Sequence, residues 1–312
     1  MWARQQIIRA PCTSATISYV INSLSTYGTE KRFFGKTNPE VSERYDTLVT
    51  PKGWAFAIWA FIFIGEAIGL IFIWTNNDCA TEFHDILIPF AYACILQSLW
   101  CICFSKEQIL LSALVLTGIS YNLKNCCDEI FKIAVSGSIS KVPYIAEAFV
   151  SYPIRIHFAW TTAAALINWN MLIVSYRIPD LEVFPALISI WTAAGIAAFR
   201  ALFLGDAIFP AVLAWAFTAM SAKIRSSPPE SFKRDSPFLK VKMKIQLTMF
   251  IYSFISIHAS SSLLVSESIF TTFSFVLNSF FQFLSFVAVL HIILIITIYH
   301  ANSTNMKLNI NI

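Results

Sequence analysis

The chain has 312 residues, 57% of them hydrophobic and only 13% charged, with a mean hydropathy of +0.65. Soluble domains carry roughly a quarter charged residues, so this composition excludes a water-soluble globular protein and makes the lipid bilayer the first partner. The net charge of +4 is spread over segments between apolar runs and gives no footprint for a nucleic acid.

Residues 1–28 read as a weak first span or a targeting segment. Arg4 and Arg9 precede a Ser/Thr-rich, mildly apolar stretch without an acidic residue. Residues 29–44 form a charged loop. The stretch Tyr45–Trp74, YDTLVTPKGWAFAIWAFIFIGEAIGLIFIW, then runs apolar for about twenty residues, enough to cross a hydrocarbon core of about 30 Å. Pro51 suits a first helical turn, and Trp54 suits the headgroup level. Trp59, Phe63, Glu66 and Leu70 recur at helical spacing, so one face carries an aromatic pair and a carboxylate. An ionisable group deep in a span costs about 2.5–3.5 kcal/mol on insertion scales and faces a bundle interior or a wet cavity. Gly65 and Gly69 form a G-x-x-x-G pair that admits close approach of another helix, within the chain or in a homodimer.

Residues 75–85 are polar and lack Lys and Arg. The pattern predicts further spans over 86–104 and 108–122, a broken polar segment over 123–152, and spans over 153–176, 183–203 and 207–222. Residues 45–222 thus form a membrane domain, followed by a basic loop, 223–244. A further hydrophobic segment, 245–312, brings the expected total to about 7–9 spans. It has no Trp and no Gly, and no Pro, a composition that fits a genuine extension and a mistranslated exon alike. Loops 29–52, 105–107, 176–182 and 223–244 hold 14 Lys and Arg, against 4 in loops 75–85, 123–155 and 204–206. The positive-inside rule puts the first set on the cytosolic face or its organellar equivalent. The seven cysteines show no C-x-x-C spacing and read as small apolar residues.

A second constellation lies in 152–176, YPIRIHFAWTTAAALINWNMLIVSY. Trp160, Ala164 and Asn168 stand one above the other on a helix face, with His157 on the same side. A Trp and an Asn sharing an intramembrane face suit a pocket that stacks a flat apolar ligand and bonds its polar edge; interhelical packing accounts for the same residues equally simply. His157 is expected nearer the membrane surface, as a structural histidine. Arg200 near a helix end reads as a snorkelling anchor, and Asp206 as a cap or turn residue.

Tyr45-x-x-Leu48-x-x-Pro51 followed by Trp54, Phe56 and Trp59 resembles the loop and second helix of the TspO/MBR family, the tryptophan-rich sensory and translocator proteins. Trp160-x3-Ala164-x3-Asn168 resembles that family's W-x3-A-x3-N helix, and Asp206-x3-Pro210-x4-Trp215 is similar to a helix of its longer relatives. The resemblance implies an all-α, polytopic transmembrane helix bundle: a five-helix TspO-like core plus extra spans. It also implies a cavity for porphyrins (tetrapyrroles) or sterol-like lipids near the first long loop, in a sensor or translocator without catalysis or a resident cofactor. A mitochondrial or plastid membrane is what the family suggests. The chain departs from compact members in having only Pro51 close to the second helix and no Trp between Trp2 and Trp54.

The expected ligand set is Trp54, Trp59, Phe63, Glu66, His157, Trp160, Ala164 and Asn168. A secondary transporter using Glu66 is the competing class, although no internal repeat is visible. An intramembrane lipid hydrolase is a weaker third, since the five His form no H-x-x-x-H or H-E-x-x-H.

Overall fold

The computed structural model describes residues 2–136, 144–176 and 182–226. Segment 245–312, most of the basic loop 223–244 and residues 177–181 lie outside the described residues. The helices are α1 (Trp2–Glu30), α2 (Asn38–Arg44), α3 (Ile58–Thr75, entered through a 3₁₀ turn, Gly53–Ala57), α4 (Asn77–Glu82), α5 (His84–Ser105), α6 (Ile109–Ser136), α7 (Tyr144–Ser175), α8 (Val183–Leu204) and α9 (Ile208–Ser226). Among the described residues there is no strand. Backbone groups in hydrocarbon must find partners within their own segment, which a helix alone supplies for a single span.

Among the described residues five helices are long and apolar enough to cross a membrane: Gly53–Thr75, His84–Ser105, Ile109–Ser136, Ala148–Ser175 and Val183–Leu204. They are not the five that pack as a ring. The main interfaces run α1–α5, α5–α6, α6–α7 and α7–α3, and a slighter α3–α1 contact closes the circle; α9 packs on α7, and α8 on α9. The less apolar α1 is therefore a ring member, whereas α8 stands outside the ring. Helix α1 is held by polar bonds: Tyr19 Oη donates to the Phe63 carbonyl at 2.8 Å, and the Trp74 indole donates to Thr16 at 2.8 Å.

The expected broken segment 123–152 is largely helical. Helix α6 continues to Ser136, and α7 starts at Tyr144 with Pro153 inside it. Lys124, which made this stretch look like a loop, is buried and pairs with Asp128 one turn on at 2.6 Å. The Gly65/Gly69 pair is used within the chain. A Cβ on Gly65 would lie 2.4 Å from Pro153 Cγ, and one on Gly69 would lie 2.5 Å from the Phe149 carbonyl oxygen. Small residues let the α3 and α7 backbones touch, and that closeness fixes every side-chain pair between them.

Candidate functional site: an aromatic cavity and a buried acid–imidazole pair

Near the end of the bundle that carries loop 31–52, α3, α5, α6 and α7 surround a cavity of about 490 Å³, open mouth included. As it stands, only about 40 Å³ of that admits the centre of a water molecule, so the walls are nearly in contact. Trp59, Phe56, Trp100, Phe104 and Trp160 line it, with Leu116, Ala164, Ile167, Asn168 and Met171. Phe56 and Trp59 meet Trp160 edge-on, at 5.7 and 6.4 Å between centroids, the arrangement that ring quadrupoles favour. Trp100 stacks on Phe104 at 4.9 Å.

Polar groups in this wall are few. Ser112 Oγ donates to Asn168 Oδ1 at 2.5 Å, and Asn168 Nδ2 donates to the Ala164 carbonyl. The indole N–H groups of Trp100 and Trp160 are buried and have no hydrogen-bond partner among the described residues. A buried donor without an acceptor costs about 1–3 kcal/mol, a cost that a ligand acceptor reaching either N–H would recover.

Asn38, Ser42, Thr50 and Pro51, from α2 and the loop behind it, cover the mouth. This cover is tied down by charge. Glu107, in the α5–α6 turn, accepts from Lys36 at 2.6 Å and pairs with Arg44 at 3.3 Å. Lys223 reaches Asp46 at 2.7 Å. Glu40 accepts from the Thr37 backbone N–H at 2.8 Å and from its hydroxyl. These bonds, with Arg32 and Lys36 nearby, hold the Glu40 carboxyl below the ordinary glutamate value.

Deeper in the bundle, His157 is fully buried between two acceptor atoms. Its Nδ1 lies 2.7 Å from Glu66 Oε1 and its Nε2 lies 2.7 Å from Gln97 Oε1. The Trp59 ring meets the imidazole edge-on at 5.5 Å. Glu66 Oε2 has no partner among the described residues. Glu66 lines a different, smaller cavity of about 270 Å³, walled by Gly69, Leu70, Ile73, Ile86, Leu87, Phe90, Phe149, Val150 and Ile154.

Of the expected ligand set, the aromatic cavity brings together Trp59, Trp160, Ala164 and Asn168. Trp54 is not in it. It is 40% exposed and packs edge-on against Trp215 at 4.7 Å, whose indole N–H donates to the Ala55 carbonyl. Phe63 turns away too, toward Trp59 and Tyr19. Glu66 and His157 lie behind Trp59 rather than beside the ligand space, and His157 is fully buried within the bundle. Arg200 does not snorkel: it is buried, bonds Asp206 at 2.7 Å and lies over the Phe158 and Phe209 rings. Asp206 also caps α9, accepting from the Ile208 and Phe209 N–H groups. Sequence reasoning missed Gln97, Trp100, Phe104 and Ser112. Only Gln97, a lone amide in an apolar run, carried a visible signal.

These features define a polytopic helical membrane protein with an aromatic-lined intramembrane cavity. A family model for TSPO-like protein matches residues 12–233, and the chain belongs to that family. Neither the curated proteins nor the solved structures returned a match.

Proposed function

We propose that the chain binds a flat hydrophobic molecule bearing hydrogen-bond acceptors, a tetrapyrrole or a sterol-like lipid, in the aromatic cavity. It acts as a sensor or translocator with no chemical step. The observation that carries this reading is the pairing of three tryptophan walls with two buried, unspent indole donors, on Trp100 and Trp160. Flat rings stack on such walls, and a carboxylate or hydroxyl edge meets the N–H groups. The walls must part for a flat ligand to enter, because they are nearly in contact. The family membership supports the same class of ligand.

The test is tryptophan-emission quenching of the detergent-purified full chain by protoporphyrin IX, with cholesterol as competitor. Saturable quenching is expected, weakened about tenfold or more in Trp160→Ala, since a lost aromatic contact and donor together are worth more than about 1.4 kcal/mol. Non-saturating quenching, equal in wild type and variant, would overturn the assignment of this cavity.

A further inference from the structure

Glu66 lies nine residues before the end of α3, roughly 13 Å along the helix from Thr75. The smaller cavity lies along that stretch, lined by α3 residues from Glu66 to Ile73. Ile73 is two residues from the end of α3, and Ile86 is two residues from the start of α5. About 20 Å³ of it admits the centre of a water molecule, where roughly 10–15 Å³ suffices for one water. Among the described residues the only carboxylate in its wall is Glu66, whose Oε2 is buried and without a partner. Trp59 and Trp160 shut the pair off from the aromatic cavity on the other side.

We propose that Glu66, His157 and Gln97 form an intramembrane proton-exchange site. One proton is taken up from, and released to, the aqueous phase at the 76–84 end of the bundle, through water in the smaller cavity. The proposal does not depend on what the aromatic cavity binds.

Atoms balance as follows. With oxygen atoms facing both ring nitrogens, His157 keeps a hydrogen on Nε2 toward Gln97, and a second proton is shared between Nδ1 and Glu66 Oε1. The pair is then neutral overall, either as carboxylate with imidazolium or as acid with imidazole. Loss of one proton, through Glu66 Oε2 to water, leaves a carboxylate beside a neutral imidazole. The proton that leaves is the one shared between Nδ1 and Glu66, and the imidazole keeps its hydrogen on Nε2, donated to Gln97 Oε1.

The other titratable side chains facing Glu66 are Tyr19 of α1, Cys94 of α5 and Cys126 of α6. Helix α4 begins beyond the end of α3. Arg155 on α7 acts on Asp206 and Cys127 instead. Among the described residues no lysine or arginine forms an ion pair with Glu66. The exchanged proton therefore changes the charge of the pair itself.

The experiment is nitrogen-15 NMR of histidine-labelled full chain in lipid nanodiscs across pH 4–10, with His157→Gln assigning the signals. The Nδ1 signal of His157 is expected to move, as pH rises, toward that of a ring nitrogen with no proton on it or shared with it, in a step lost or moved by at least one pH unit in Glu66→Gln. Signals constant across the whole range, or an unchanged step in Glu66→Gln, would overturn the proposal. Access is tested by pH-jump tryptophan emission, because Trp59 touches the imidazole. Ile73→Phe, which takes up the room for water, is expected to slow the response severalfold with unchanged end points. Equal speed would refute the water path.

Discussion

Replacing Gly69 by alanine tests whether the contact between α3 and α7 sets the bundle's geometry. The new Cβ would stand 2.5 Å from the Phe149 carbonyl oxygen and 3.2 Å from Val150 Cα, where ordinary contact begins at 3.4 Å. The neighbours are backbone and cannot rotate away, so α7 must retreat by about 0.9 Å along that line. Forcing a methyl into a packed contact typically costs about 1–3 kcal/mol. Alanine returns up to about 1 kcal/mol in helix propensity, which leaves a net loss of about 0–2 kcal/mol. Gly195, in the middle of α8, is the control, because a Cβ there meets nothing within 4 Å. Gly195→Ala should stabilise by about 0.5–1 kcal/mol. Thermal unfolding of the purified variants, followed by circular dichroism, should place Gly69→Ala below wild type and Gly195→Ala at or above it. The same retreat of α7 would stretch the 2.7 Å bond between His157 and Glu66, so the histidine NMR signals should move in Gly69→Ala only. Equal stability of the two variants, with unmoved His157 signals, would refute the claim that this pair of glycines sets the spacing.

Ser112→Ala removes the hydroxyl that satisfies Asn168 Oδ1 deep in the wall. A loss of about 1–3 kcal/mol in unfolding free energy is expected, and a neutral result would mean that Asn168 finds another donor. Glu107→Gln frees the cavity cover from Lys36 and Arg44. Such half-exposed pairs are worth up to about 1 kcal/mol each, so porphyrin association should quicken by about fivefold or more, as stopped-flow quenching would show. Arg200→Met strands the buried Asp206 and should cost about 3–5 kcal/mol, with part regained in Arg200→Met/Asp206→Asn. Burial would raise the Asp206 carboxyl, but Arg200, Arg155 and backbone N–H groups together hold it below the ordinary aspartate value. That contribution is fully present above the unfolded value of about 3.9 and is lost as pH falls through the lower folded value. Thermal stability should therefore show no step from this pair between pH 5 and 8, and a step there would refute the assignment.

The two strongest helices were legible because their signals were local. The apolar run of α3 and the one-face spacing of Trp160, Ala164 and Asn168 follow from helical period alone. What failed was long-range. Residues 123–136 fell within a stretch that looked polar and broken, with basic positions beginning at Lys124, until the structure pairs Lys124 with Asp128 across one turn. Phe63 shares a helix face with Trp59 and Glu66, yet 100° per residue leaves enough drift to aim it at α1 instead of at the cavity. Arg200 looked like an interfacial anchor because its partner, six residues on, lies beyond the helix end. Trp100 and Ser112 carried no mark at all, since a Trp and a Ser within apolar runs are ordinary.

The separation of Glu66 and His157 from the ligand space changes what the carboxylate can do. A glutamate in the aromatic cavity would be a ligand contact, and its charge would be set by the ligand. Behind Trp59 it is instead paired with a histidine that is itself held on its far nitrogen, and its other oxygen has no partner among the described residues. Trp59 is the shared wall: one edge lies on the imidazole at 5.5 Å and the ring lies 6.4 Å from Trp160. A change of charge at His157 therefore acts on a ring that also contacts the ligand space. Any ligand that moves Trp59 acts back on the pair by the same free energy, because coupling between two sites is reciprocal. Porphyrin affinity measured across pH 5–9 should then follow the His157 step, and Trp59→Leu should flatten that dependence while leaving the step itself in place. If affinity in wild type is level across the step, the two sites are energetically independent and Trp59 is only a partition.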